Sequence, residues 1–244
     1  MNRAGLSSTD DRVAVIQSEL RRLANREVAE HSQRFFKTGK GQYGEGDKFL
    51  GIRVPALRKL AREYRGISIQ EACRLLKSQF HEERLLALFL LVAIFKKSDH
   101  EGKRAIYELY LANTRFISNW DLVDCSAEHI VGAYLWRADR RALYDLAVSD
   151  NLWERRIAIM STFHFIKHGD FADTLKIAEI LLTDNEDLIH KAVGWMLREI
   201  GKRDVRAEER FLKRHCRQMP RTMLRYAIEK FPAPKRQAYL RGDV

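Results

Sequence analysis

Five segments recur along the chain at nearly constant spacing, and this recurrence limits the possible folds more than any other feature. They are Glu83-Arg84-Leu85-Leu86-Ala87, Asn119-Trp120-Asp121-Leu122-Val123, Glu154-Arg155-Arg156-Ile157-Ala158, Leu188-Ile189-His190-Lys191-Ala192 and Met223-Leu224-Arg225-Tyr226-Ala227. Their final small residues stand at 87, 123, 158, 192 and 227, so the spacings are 36, 35, 34 and 35. Shorter amphipathic stretches fall between them, roughly at 103–113, 139–148, 172–182 and 205–216. A two-helix unit repeated about every 35–40 residues cannot bury its apolar face alone, so neighbouring units must stack.

Local signals agree with helices throughout. Ser68-Ile69-Gln70-Glu71 is a capping box, Asn151 to Glu154 follows the same logic with asparagine as cap, and Asp184-Asn185 precedes another helix. Alternating β-branched runs bounded by turns are missing. The expected fold class is therefore all-α. Within it, the repeat predicts an α-solenoid of HEAT-like helical repeats with a concave basic groove; the consensus aromatics and proline of tetratricopeptide repeats are not in place. We expect one domain over 1–244: N-terminal helices over 10–66, stacked helix pairs over 67–230, and a tail over 231–244. Residues 12–36 read as one helix. Four glycines between Gly39 and Gly46 make 38–47 a basic loop, and Pro55 suits a helix start.

Charge points to the partner. The chain carries 44 Lys and Arg against 33 Asp and Glu, a formal +11. Residues 34–65 hold nine basic and three acidic residues, and residues 201–244 hold thirteen and five. Two basic ends around a slightly acidic middle suit a polyanion, with nucleic acid the commonest kind. Cys73, Cys125 and Cys216 are scattered and odd in number, which fits thiols in a reducing cytoplasm rather than a disulfide framework or zinc site. Met1 to Thr9 has no apolar signal core, and Leu85 to Phe95 is too short to span a bilayer. The eight histidines contain no HExxH motif and are expected to be unpaired; neither a metal nor a cofactor is expected.

Trp120 and Asp124 are four apart, so on a helix they share a face. A carboxylate beside an indole costs free energy in a plain core and is useful where a cation is handled. Asp121 reads as an early-turn acid favoured by the helix dipole. One position before it in the repeat register stand Arg84, Trp120, Arg155, Ile189 and Leu224; at its own position stand Leu85, Arg156, His190 and Arg225. Arg155, Arg156 and Arg225 make a candidate phosphate clamp. Arg53 and Arg58, beside the Gly/Pro turn, are further candidates. Lys191 is kept with them, although a solvated face explains it as well. Trp136 and Trp153 read as packing, and Cys125 lacks a base partner that would make it a nucleophile.

Taken together, Asn119 to Asp124, Asp150 to Ala158, Lys191 to Glu199 and Phe49-Leu50-Gly51-Ile52-Arg53-Val54-Pro55 resemble the AlkD-type DNA alkylation repair proteins, HEAT-like-repeat DNA glycosylases. The resemblance covers about residues 30 to 230. It implies removal of positively charged N3- or N7-alkylpurines from duplex DNA without drawing the base into a pocket, unlike base-flipping glycosylases. By this resemblance Trp120 and Trp195 cradle the lesion's deoxyribose, Asp124 is the catalytic carboxylate, and Arg156 grips the backbone. Asn119 stands where some members have an aromatic residue, some members carry a tyrosine near Phe35, and the 38–47 loop is long.

The chemistry is coherent. A cationic base leaves without protonation, and a carboxylate near C1′ stabilises the oxocarbenium-like sugar, as in glycosidases. The expectation is a monofunctional glycosylase that works as a cytoplasmic monomer. Two rivals stand beside it: a non-catalytic nucleic-acid-binding solenoid, which would bind with strong salt dependence and release no base, and a protein-interaction scaffold, which has no use for this Trp, Asp and Arg set.

Overall fold

The computed structural model describes residues 9–244, with side chains from residue 12. The polar start of the chain, where no signal core is expected, lies outside the described residues up to Ser8. The described residues form helices and turns without a strand; one isolated bridge joins Lys48 and Phe80. They pack as two compact units, the first ending at Ser126 and the second running from Ala127 to Val244.

In the first unit the stretch expected as one helix is two, Thr9–Leu23 and Arg26–Phe35. Asn25 makes the break. Its side chain accepts the Val28 N–H at 3.0 Å, and its own N–H leaves the helix ladder to bond Leu50 O at 2.9 Å. Apolar periodicity runs through this point, whereas an asparagine that caps and turns the backbone outcompetes helix continuation. Gly51 follows from the same contact. Its φ is 81°, and a Cβ there would lie 2.0 Å from Asn25 O, so only glycine fits.

Pro55 sits in the first turn of helix Val54–Glu63, and Ser68 and Glu71 complete the capping box of helix Ile69–Leu76. Helix His81–Lys97 is buried on nearly every side, with every residue from His81 to Leu88 out of solvent. That all-round burial explains why its sequence shows no polar face. Helix His100–Leu111, capped by Asp99, leads to the short helix Trp120–Asp124, capped by Asn119.

The second unit opens with the π-helical turn Glu128–Gly132 and helix Ala133–Leu135. Its recurring segments lie on helices Leu152–Ser161, Asp187–Gly201 and Arg221–Ala227. Between them lie Arg141–Ala147, Phe163–Lys167, Ala172–Ile180 and Val205–His215, and Ala233–Arg241 closes the unit. Ala87 and Val123 in the first unit, and Ala158, Ala192 and Ala227 in the second, are all buried. The recurring small positions are thus the ones that let helices approach. Gly194 carries this furthest: a Cβ there would meet Met223 O at 2.4 Å and Tyr226 Cβ at 2.5 Å.

Candidate nucleic-acid interface

Four polar residues open the buried helix of the first unit, and each ties down a different piece of chain. His81 donates from Nδ1 to Asp47 and from Nε2 to Asp121, both at 2.8 Å. Glu82 accepts the backbone N–H groups of Leu50, Gly51 and Ile52 at 2.8, 2.7 and 3.2 Å. Glu83 accepts from Gln17 at 2.7 Å and from Arg21. Arg84 donates to Asp47 at 2.7 Å and to Ser78 O at 3.3 Å. Such a network rigidifies its surroundings when its members are satisfied, and losing one partner leaves a buried charge exposed to low dielectric.

The electrostatics follow. Burial by itself favours a neutral His81, but the Asp121 and Asp47 carboxylates outweigh it and raise the imidazole from 6.5 to about 9. Burial would raise Asp47, yet His81 and Arg84 hold its carboxyl below the ordinary value. His81 is therefore an imidazolium at neutral pH, clamped between the loop before Lys48 and the start of helix Trp120–Asp124. Asp121 is the early-turn acid that the sequence suggested, and it has a second task. It is the far end of this clamp.

An aromatic column runs from the clamp to Trp120. His81 stacks on Phe49 at 4.5 Å, Phe49 on Phe36 at 5.1 Å, and Phe36 on Trp120 at 5.4 Å. Phe35, largely exposed, meets the Trp120 ring edge-on at 6.1 Å. Trp120 and Asp124 are both half-buried on their five-residue helix. The indole is thus backed by rings on one side, and the carboxylate follows it by about one turn. Desolvation and the Asp121 and Asp124 charges push the neighbouring Cys125 thiol up, which keeps it protonated and unreactive. A cavity of about 550 Å³ lies beside the column, bounded by Phe36, Phe49, Ile52, Leu85, His81 and Asp121.

In the second unit Trp195 is half-buried on helix Asp187–Gly201. Its Nε1 donates to Glu199 at 3.2 Å, and the Phe163 ring lies 6.2 Å away. Trp153 is buried, and Trp136 packs against Phe165 and the His168 ring.

The candidate phosphate contacts divide sharply. Arg53 is exposed and has no side-chain partner among the described residues. Arg58 is exposed and lies over the Phe89 ring at 4.7 Å. Arg155 is spoken for by Asp184, at 2.6 Å, and by the carbonyls of Ser149 and Asp150. Lys191 pairs with Asp187 at 2.7 Å. Arg156 is only 4% exposed and donates to Leu188 O in the first turn of the helix that bears Trp195. The register positions expected to form a basic stripe are therefore mixed. Arg225 is exposed, Leu85, Ile189 and Leu224 are core, and His190 bonds Asp184 O.

The histidines need one correction. His164 and His168 stand four apart, and their rings lie 4.5 Å from each other. Desolvation, with His168 beside it, lowers His164 to about 4. No group of three or more His, Cys, Asp or Glu among the described residues could hold a metal ion. No helix among them is long and apolar enough to cross a membrane.

What the sequence did not show is the set His81, Glu82, Glu83 and Arg84. Four consecutive polar residues ahead of a long apolar run were the available signal, because a plain helix start needs only one or two.

A family model described as DNA alkylation repair enzyme matches residues 16–231. The fold is similar to that of a predicted DNA alkylation repair enzyme from Enterococcus faecalis, with a TM-score of 0.66 and 18% identity over 86% of this chain and 97% of that one. It is also similar to that of smu.31 from Streptococcus mutans UA159, with a TM-score of 0.52 and 18% identity over 92% and 99% of the two chains. No curated protein matches the chain.

Proposed function

Because the chain belongs to the DNA alkylation repair enzyme family, we propose that it is a DNA glycosylase that hydrolyses the N-glycosidic bond of N3- and N7-alkylated purines in duplex DNA. The observation that carries this reading is the helix Trp120–Asp124. It presents a half-exposed indole backed by Phe36, with a partly exposed carboxylate one turn on, while the helix's other acid is held by His81.

An alkylated purine is already cationic, so the base departs with the glycosidic electron pair and needs no proton donor. Positive charge then develops at C1′ and the ring oxygen. Asp124 stabilises that charge and orients the water whose oxygen bonds to C1′, as carboxylates do at glycosidic centres. The Trp120 and Trp195 faces attract the cationic base and sugar, by roughly 0.5–2 kcal/mol each. Removal proceeds without flipping the base into a closed pocket. No lysine has a Schiff-base role, so the enzyme is a monofunctional hydrolase that starts base excision, acting as a monomer built of stacked HEAT-like repeats.

Backbone contacts fall first to Arg53 and Arg58, which are exposed. Arg155 and Lys191 would exchange Asp184 and Asp187 for phosphate. Arg156, being buried, would act indirectly, steadying through Leu188 O the helix that carries Trp195.

The test is a single-turnover assay on duplex with one 7-methylguanine, in which alkali cuts abasic strands. Wild type is expected to yield cut product, and Asp124→Asn to be slower by on the order of 10²–10⁴ with an unchanged helical spectrum. Binding without product, or equal rates for both proteins, would sink the assignment.

A further inference from the structure

Helix Val205–His215 sorts its side chains onto two faces. Ala207, Glu208, Phe211 and Leu212 are buried. Arg206, Arg210, Lys213 and Arg214 lie on the other side, within an arc of about 100° at 100° per residue, and all four are exposed. Arg217, also exposed, extends the row beyond the helix end. None of the five side chains has a partner among the described residues. The helix's own acids do not serve them: Glu208 is turned inward, and Glu209 pairs with Lys235.

Several other cations of this unit are matched with acids. Arg140 pairs with Asp170 and Asp173, Arg155 with Asp184, Lys167 with Glu128, and Arg198 with Glu229. A row of like charges three and four apart on one helix repels itself. An external polyanion removes that repulsion.

The row ends at a concavity of about 440 Å³ whose walls include Arg217, Arg221 and Arg241. Arg221 gives one N–H to Leu240 O at 2.8 Å and Arg241 faces Asp243 at 2.6 Å, so each keeps further donors. Tyr239 also lines it, and its buried hydroxyl has no partner among the described residues.

We propose that this row and the concavity at its end are a second surface for the phosphate backbone of duplex DNA, on a helix that carries none of the lesion-site candidates. Guanidinium groups bind phosphate oxygens through two parallel N–H bonds. Four residues of helix rise about 6 Å, so successive arginines can meet successive phosphates of one strand. The row has no aromatic side chain on which unpaired bases could stack. It has no interleaved apolar side chain to enter a bilayer. The inference takes from the proposed function only that DNA is the partner, and it requires no base excision.

The experiment uses the full chain and a fluorescent undamaged duplex titrated over a range of salt. Each lost phosphate contact flattens the slope of log K against log salt by about 0.9. Arg210→Gln is therefore expected to flatten it by about 1, and Arg206→Gln/Arg210→Gln/Arg214→Gln by about 2–3, with weaker low-salt binding and unchanged thermal melting. An unchanged slope overturns the proposal. So does a loss confined to single strands or to phosphatidylserine vesicles. Because this duplex carries no lesion, the two readings separate: flattening here with no release of 7-methylguanine by wild type in the single-turnover assay keeps this surface and removes the glycosylase, and release there with an unaltered slope here does the reverse.

Discussion

Asp121 and Asp124 lie on one short helix and have different tasks. Asp121 is bonded to the His81 imidazolium, which itself holds Asp47. Asp124 is the carboxylate proposed for C1′. The His81 clamp has a consequence in pH. Its pKa is raised from 6.5 to about 9 in the folded protein, so the folded state holds a proton that the unfolded chain releases between these values. The stability it lends is fully present below pH 6.5 and is lost as pH rises toward 9. A shift of that size is worth on the order of 3 kcal/mol. Glu208, pushed up to about 8 by burial and by Glu209, adds its own decline from pH 4.5 to 8, so variant and wild type must be compared at each pH. Urea midpoints are expected to show His81→Gln most destabilised near pH 6, with the gap narrowing by pH 9.

Helices meet where side chains are smallest, and their ends are set by local chemistry. Gly194→Ala places a methyl group 2.4 Å from Met223 O, forcing helices Asp187–Gly201 and Arg221–Ala227 apart. The expected cost is about 1–3 kcal/mol, read as a lower urea midpoint with an unchanged slope. Much at this scale was legible in the sequence, because helix period, caps and recurring small residues are short-range signals. The 205–216 stretch became helix Val205–His215, and the Ser68–Glu71 box formed as expected. Asn25 was missed because apolar residues keep helical spacing across it. The polar opening of helix His81–Lys97 was unreadable for a different reason. Its partners, Asp47, Asp121, Leu50 and Arg21, lie 32 to 62 residues away in the chain, and nothing local announces such pairings. The pairing of Arg155 with Asp184, 29 residues on, was hidden in the same way.

Across the whole molecule, charge and chemistry have separate carriers. The net charge of +11 includes a bare row on helix Val205–His215, whereas the indole and carboxylate proposed for catalysis sit on helix Trp120–Asp124. The pair could be read from a spacing of four, and what stands behind it could not: the rings of Phe36, Phe49 and His81 come from three separate stretches of chain. The central proposal is that one carboxylate beside an indole suffices because the substrate base is already charged. Wild-type protein should therefore be given two otherwise identical duplexes, one with 7-methylguanine and one with neutral hypoxanthine, and released base measured in single turnover. The account predicts release of 7-methylguanine and none of hypoxanthine above the uncatalysed rate. Comparable release of both would require a general acid that the account does not contain, and release of neither would contradict it outright.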